Sequence, residues 1–132
     1  MTRIFDHVDL RVKRMADCAA FYEALLPMLG FTQRVKIAGW LQFEAAGVGA
    51  TEFFGLIEDE AHVPNRGRIA FRASSKDRVD EISKALSKIG ASNVEGPGFE
   101  DPSYYAVYFD DPSGNPLEIV HRSANFRERG LV

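Results

Sequence analysis

The feature that most constrains this chain is an internal repeat. His7-Val8-Asp9-Leu10-Arg11-Val12 and Arg68-Ile69-Ala70-Phe71-Arg72-Ala73 both alternate strictly, which is the period of a half-buried strand. Each stretch is followed by a helical pattern. The first, over about 15–29, repeats Ala19, Tyr22, Leu25, Leu26 and Leu29; the second, over about 76–89, repeats Val79, Ile82, Leu86 and Ile89. Asp17 and Ser75 suit a helix N-cap or first turn, and Gly30 and Gly90 suit the C-terminal stops. Pro27 is expected to end or kink the first helix early.

Three strand-like segments follow each helix: about 32–37, 40–44 and 50–58 in the first copy, and 93–95, 104–109 and 116–122 in the second. The unit is therefore β-α-β-β-β, used twice. Module one covers 4–58, a polar, turn-rich linker 59–67, module two 68–122 and a charged tail 123–132. A length of 132 residues suits one domain built from two such half-size modules. The irregular stretch at 95–102 is expected to form a loop over a cavity mouth.

Period-2 geometry assigns the faces. Val8, Leu10 and Val12 should pack on the first helix, leaving His7, Asp9 and Arg11 opposite. Ile69, Phe71 and Ala73 should pack on the second, leaving Arg68, Ala70 and Arg72 opposite. In the last strand Leu117, Ile119 and His121 share one side, Glu118 and Val120 the other. Asp111-Pro112-Ser113-Gly114-Asn115, just before this strand, carries the Asx side chains, fixed φ and glycine of a tight turn. A glutamate set into the apolar run after it is costly unless paired, metal-bound or facing a wet cavity, which makes Glu118 the first candidate for a working residue. The local pattern around Glu52 resembles that around Glu118 and makes Glu52 its expected twin.

If each sheet curls around its polar face, the two modules enclose a cleft lined by His7, Glu52, Arg68 and Glu118. Imidazole and carboxylate suit Zn, Ni, Fe, Mn or Co, whereas the guanidinium of Arg68 has no lone pair to donate. Composition narrows the partners. A net charge of -3 argues against nucleic acid. The chain has no apolar run of bilayer length and no signal-peptide core, and its single cysteine, Cys18, fits a reducing cytoplasm.

These residues resemble the vicinal-oxygen-chelate superfamily of glyoxalase I, extradiol dioxygenases, fosfomycin-resistance enzymes and bleomycin-binding proteins. The resemblance covers about residues 4 to 122 and includes the run Tyr108-Phe109-Asp110-Asp111-Pro112-Ser113-Gly114 followed by Glu118. It implies an α+β fold, with two tandem βαβββ modules forming a curved mixed sheet around a central cleft. His7, Glu52 and Glu118 match the family's metal ligands, and Arg68 stands where the family usually has His. The dioxygenase signature also has a His several residues before the tyrosine, where this chain has Glu100, Asp101 and Ser103. The resemblance further implies a homodimer, with each site built from one chain or from two.

Two functions follow. In the first, the protein is a divalent-metal-dependent lyase, isomerase or dioxygenase acting on a small oxygenated molecule. The metal acts as Lewis acid, Glu52 or Glu118 as general base, and Tyr108 donates to a substrate oxygen. In the second, it is a metal-free small-molecule binding or antibiotic-resistance module in which Arg68 pairs with Glu118 or with a substrate carboxylate. Arg11, Arg72 and Trp40 are further substrate-binding candidates; surface ion pairs for the arginines and packing for Trp40 are the plainer readings. Tyr104, Tyr105 and Tyr108 could each donate to a substrate oxygen or fill the sheet, and packing is the favoured reading for Tyr104 and Tyr105.

Overall fold

A computed structural model describes residues 3–123. It divides into two compact units at Pro64–Asn65, each carrying one copy of the repeat.

In the first unit β1 (His7–Val12) leads into α1 (Met15–Met28), then β2 (Phe31–Ile37), β3 (Trp40–Ala45) and β4 (Phe53–Glu58). The sheet order is β1-β4-β3-β2, with β1 and β4 parallel and the other pairs antiparallel. The parallel pair follows from the crossover through β2 and β3, which returns the chain to the side of β1. Val12, Phe43, Phe54 and Leu56 are buried with Cys18, Phe21, Tyr22, Leu25 and Leu26 of α1. The buried stripe of α1 thus starts one residue earlier than the expected one: Cys18 and Phe21 replace Ala19 and Leu29. Pro27 does not end the helix early; it sits in the last turn, where its ring meets only the end of the carbonyl ladder. Asp17 lies in the first turn but does not cap. The N-cap position is Arg14, without a side-chain cap, and the Glu58 carboxylate accepts from the Met15 amide at 2.8 Å instead.

The second unit repeats the plan: β5 (Ile69–Arg72), α2 (Lys76–Ile89), β6 (Ser92–Asp101), β7 (Tyr104–Asp110) and β8 (Pro116–Arg122), in sheet order β5-β8-β7-β6. Ser75 caps α2 by accepting from the Arg78 amide at 3.0 Å, and Gly90 closes it in the left-handed conformation, φ 107°. Val79, Ile82 and Leu86 bury the expected stripe. The stretch expected as a loop at 95–102 belongs mostly to β6, an edge strand whose pairing with β7 shifts register three times. Its Pro and Gly residues hide the strand signal in the sequence, and an edge strand tolerates them.

The turn between β7 and β8 is built on a buried aspartate. Asp111 Oδ1 accepts from the Ser113 and Asn115 amides at 2.9 and 2.8 Å, and Oδ2 accepts from the Asn115 side chain at 3.0 Å. Asp111 and Asn115 are both buried. This turn sets where β8 starts and therefore which face Glu118 takes.

Candidate functional site

Both sheets bury one face under a helix, and the candidate residues fall on the other. In the second unit the register pairs Tyr108 with Glu118, Ala106 with Val120 and Tyr104 with Arg122 across β7 and β8; on the other side of β8, Glu118 is paired with Ala70 and Val120 with Arg72. Directly opposed residues project to the same side, so Ala70, Arg72, Tyr104, Ala106, Tyr108, Glu118, Val120 and Arg122 share one face. Tyr105, Val107 and Phe109 take the face toward α2, where the Tyr105 hydroxyl donates to Asp80.

Glu118 is only 4% exposed. Its Oε2 accepts a hydrogen bond from the Tyr104 hydroxyl. Burial, then this bond, hold the Tyr104 phenol well above its ordinary range. The Tyr108 phenol is pushed up to about 12, first by burial and then by its hydrogen bond to Glu100. The Arg68 guanidinium lies over the Tyr108 ring, 4.7 Å from its centroid, a cation–π arrangement. The expected Arg68–Glu118 ion pair is not among the ion pairs of the described residues. The register shows why: the residue of β5 beside Glu118 is Ala70, and Arg68 lies before the strand begins.

In the first unit, the non-helix face carries His7, Asp9 and Arg11 of β1, Phe53, Gly55 and Ile57 of β4, and Trp40, Gln42 and Glu44 of β3 in three cross-strand rows. The His7 ring stacks on Phe53 at 4.4 Å; its Nδ1 lies 2.7 Å from Asp6 and its Nε2 3.8 Å from Asp9. Trp40 donates from its indole N–H to Gln42 Oε1 at 3.1 Å, and Gln42 donates to Glu44 at 2.9 Å. Arg11 pairs with Asp59 at 3.3 Å at the exposed end of the strand. Arg72 is exposed on β5.

Glu52 is not the structural twin of Glu118. β1 aligned on β5 places Asp9 at Ala70, and the partner of Asp9 on β4 is Gly55, just as the partner of Ala70 on β8 is Glu118. Glu52 precedes β4 and pairs with Arg3 at 3.1 Å. The space a side chain at 55 would need is taken: a Cβ there would lie 2.8 Å from the Trp40 ring and 3.0 Å from Asp9 Oδ1.

Residues 4–119 match the profile of the Glyoxalase/Bleomycin resistance protein/Dioxygenase superfamily. The chain belongs to this superfamily. Among solved structures, a glyoxalase/bleomycin resistance protein from Albidiferax ferrireducens T118 is 26% identical with a TM-score of 0.76, over 92% of this chain and 100% of that one. The fosfomycin resistance protein FosX from Listeria monocytogenes is 18% identical with a TM-score of 0.72, over 95% and 98% of the two chains, and shares the fold. A point mutant of that FosX is known in complex with Mn(II) and 1S,2S-dihydroxypropylphosphonic acid. No curated protein matches the chain.

A divalent metal in the manner of such relatives requires several donors with free lone pairs converging on one point. In the first unit Gly55 holds the place equivalent to Glu118, and in the second a guanidinium stands beside Tyr108. Among the described residues no three His, Cys, Asp or Glu side chains form a group that could hold a metal ion. Within the second unit by itself, the side chains beside Glu118 do not fit a resident metal: Tyr104 is a neutral phenol and Arg68 has no lone pair to donate.

Of the sequence candidates His7, Glu52, Arg68, Arg11, Arg72, Trp40, Tyr108 and Glu118, the second unit brings Arg68, Tyr108 and Glu118 together. The direct partner of Glu118 is Tyr104, whose favoured sequence reading is packing. The signal was present: Tyr104 and Tyr108 share strand parity, so a face assignment for one applies to the other.

Proposed function

We propose that the protein is a metal-independent small-molecule binding module of the superfamily, with its ligand site on the non-helix face of the second unit. Glu118 is the polar anchor, held by Tyr104; Tyr108 supplies an aromatic surface and a phenol; Arg68 and Arg72 supply positive charge. On the first unit taken by itself, Trp40, Arg11, His7 and Glu52 are separate ligand-contact candidates. The observation that carries this reading is the seat of Arg68 on the Tyr108 ring, at the position where the superfamily pattern has histidine. A permanently protonated cation there raises the cost of a second cation nearby and offers an anionic group on the ligand a charge-assisted hydrogen bond.

The test is metal analysis of protein purified without chelator, alongside the Arg68→His variant. The wild type should carry far less than one equivalent of any transition metal, and the variant should gain none. Near-stoichiometric metal in the wild type would overturn the proposal and favour the metal-dependent lyase, isomerase or dioxygenase.

A further inference from the structure

The second unit holds two opposite charges around one ring without joining them. Glu118 is nine-tenths buried, and its carboxylate makes no ion pair among the described residues; its hydrogen-bond partner is the neutral Tyr104 hydroxyl. Arg68 sits on the other side of the same neighbourhood, against the Tyr108 ring, likewise without an ion pair among the described residues. A buried carboxylate without a cation is costly. Tyr104 supplies one hydrogen bond, whereas a carboxylate has about four lone-pair sites. Ala70, an exposed small residue, lies beside Glu118 on this face, and Ala106 is the small neighbour of Tyr108 along β7.

We infer that this face takes a zwitterionic small molecule of the amino-acid class, its ammonium group on Glu118, its carboxylate on Arg68 and its body against Tyr108. This rests on the reading of this face as the ligand site and names the ligand's charge pattern. Each end of such a ligand supplies what the protein leaves open: three N–H donors for the glutamate, and a planar anion that matches the guanidinium fork. The exposed Glu100, hydrogen-bonded to Tyr108, and Arg72 also face this region. Glu100 lowers the net positive charge there, which disfavours a ligand carrying only negative charge.

The experiment uses the full chain and NMR titration, with three groups of probes: the twenty free L-amino acids, phenethylamine as the ammonium-only probe, and 3-phenylpropionate as the carboxylate-only probe. The side-chain resonances of Tyr104 and Tyr108 report on the site. At least one amino acid should bind at least tenfold tighter than either singly charged probe. Glu118→Gln should weaken it tenfold or more and should not weaken 3-phenylpropionate; Arg68→Gln should likewise weaken it and should not weaken phenethylamine. Amide spectra of both variants check that they fold, and Tyr104→Phe offers a milder second perturbation of Glu118. If the singly charged probes bind as well as every amino acid, the zwitterion inference falls and the ligand site stands. If no probe moves the tyrosine resonances, both fall. Site-specific broadening at Glu118 by stoichiometric Mn(II) would overturn the inference in favour of a metal.

Discussion

Gly55 and Glu118 occupy the same place in two copies of one motif, and the difference between them divides the work of the two sheets. At Glu118 the chain accepts the cost of a buried carboxylate; at Gly55 it gives up the side chain so that the Trp40 ring can lie against the backbone. Gly55→Ala would push a methyl group to within 2.8 Å of that ring. It should destabilise the protein by about 1–3 kcal/mol, as overpacking does, and shift Trp40 fluorescence; urea unfolding followed at the tryptophan measures both. Tyr108 makes a second prediction at this scale. Its phenol is raised to about 12 in the folded protein against about 10 in an unfolded chain. Between these values the unfolded state loses the proton and the folded state keeps it, so stability is fully present below about pH 10 and falls as pH rises toward 12. Urea midpoints across that window should fall less steeply for Tyr108→Phe than for the wild type.

At the scale of elements, the two helices are fastened by different means. α2 has a serine cap and a left-handed glycine stop, so Ser75→Ala should cost about 0.5–2 kcal/mol, read from the thermal unfolding midpoint. α1 has no local cap and relies on Glu58 from the end of β4, a contact between residues far apart in sequence. Glu58→Gln keeps an acceptor and should cost less than Glu58→Ala. The two edge strands also differ. β2 runs along β3 with a single register shift near its start, while β6 follows β7 through three, and this breaks the alternation that would identify it in the sequence.

At the scale of the whole molecule, superfamily membership rests on both copies of the repeat, since the matched region runs from residue 4 to 119. The homodimer that the resemblance implies is expected to appear in light scattering as a mass twice the 14.7 kDa of one chain; a mass of one chain at micromolar concentration would refute it. The sequence by itself determined the repeat, the order of elements, the helix-facing residues of the strands and the Asp-Pro-Ser-Gly turn. All of these are written in local periodicity and turn chemistry, which act over a few residues. Register was decided only by the tertiary structure. Which β4 residue is equivalent to Glu118, whether Arg68 reaches that glutamate, and which tyrosine holds it all depend on cross-strand pairing between distant segments. Phe53-Phe54-Gly55-Leu56-Ile57 is apolar on both faces, so alternation does not fix its parity, and an odd shift of three residues moves Glu52 off the strand and puts Gly55 in its place.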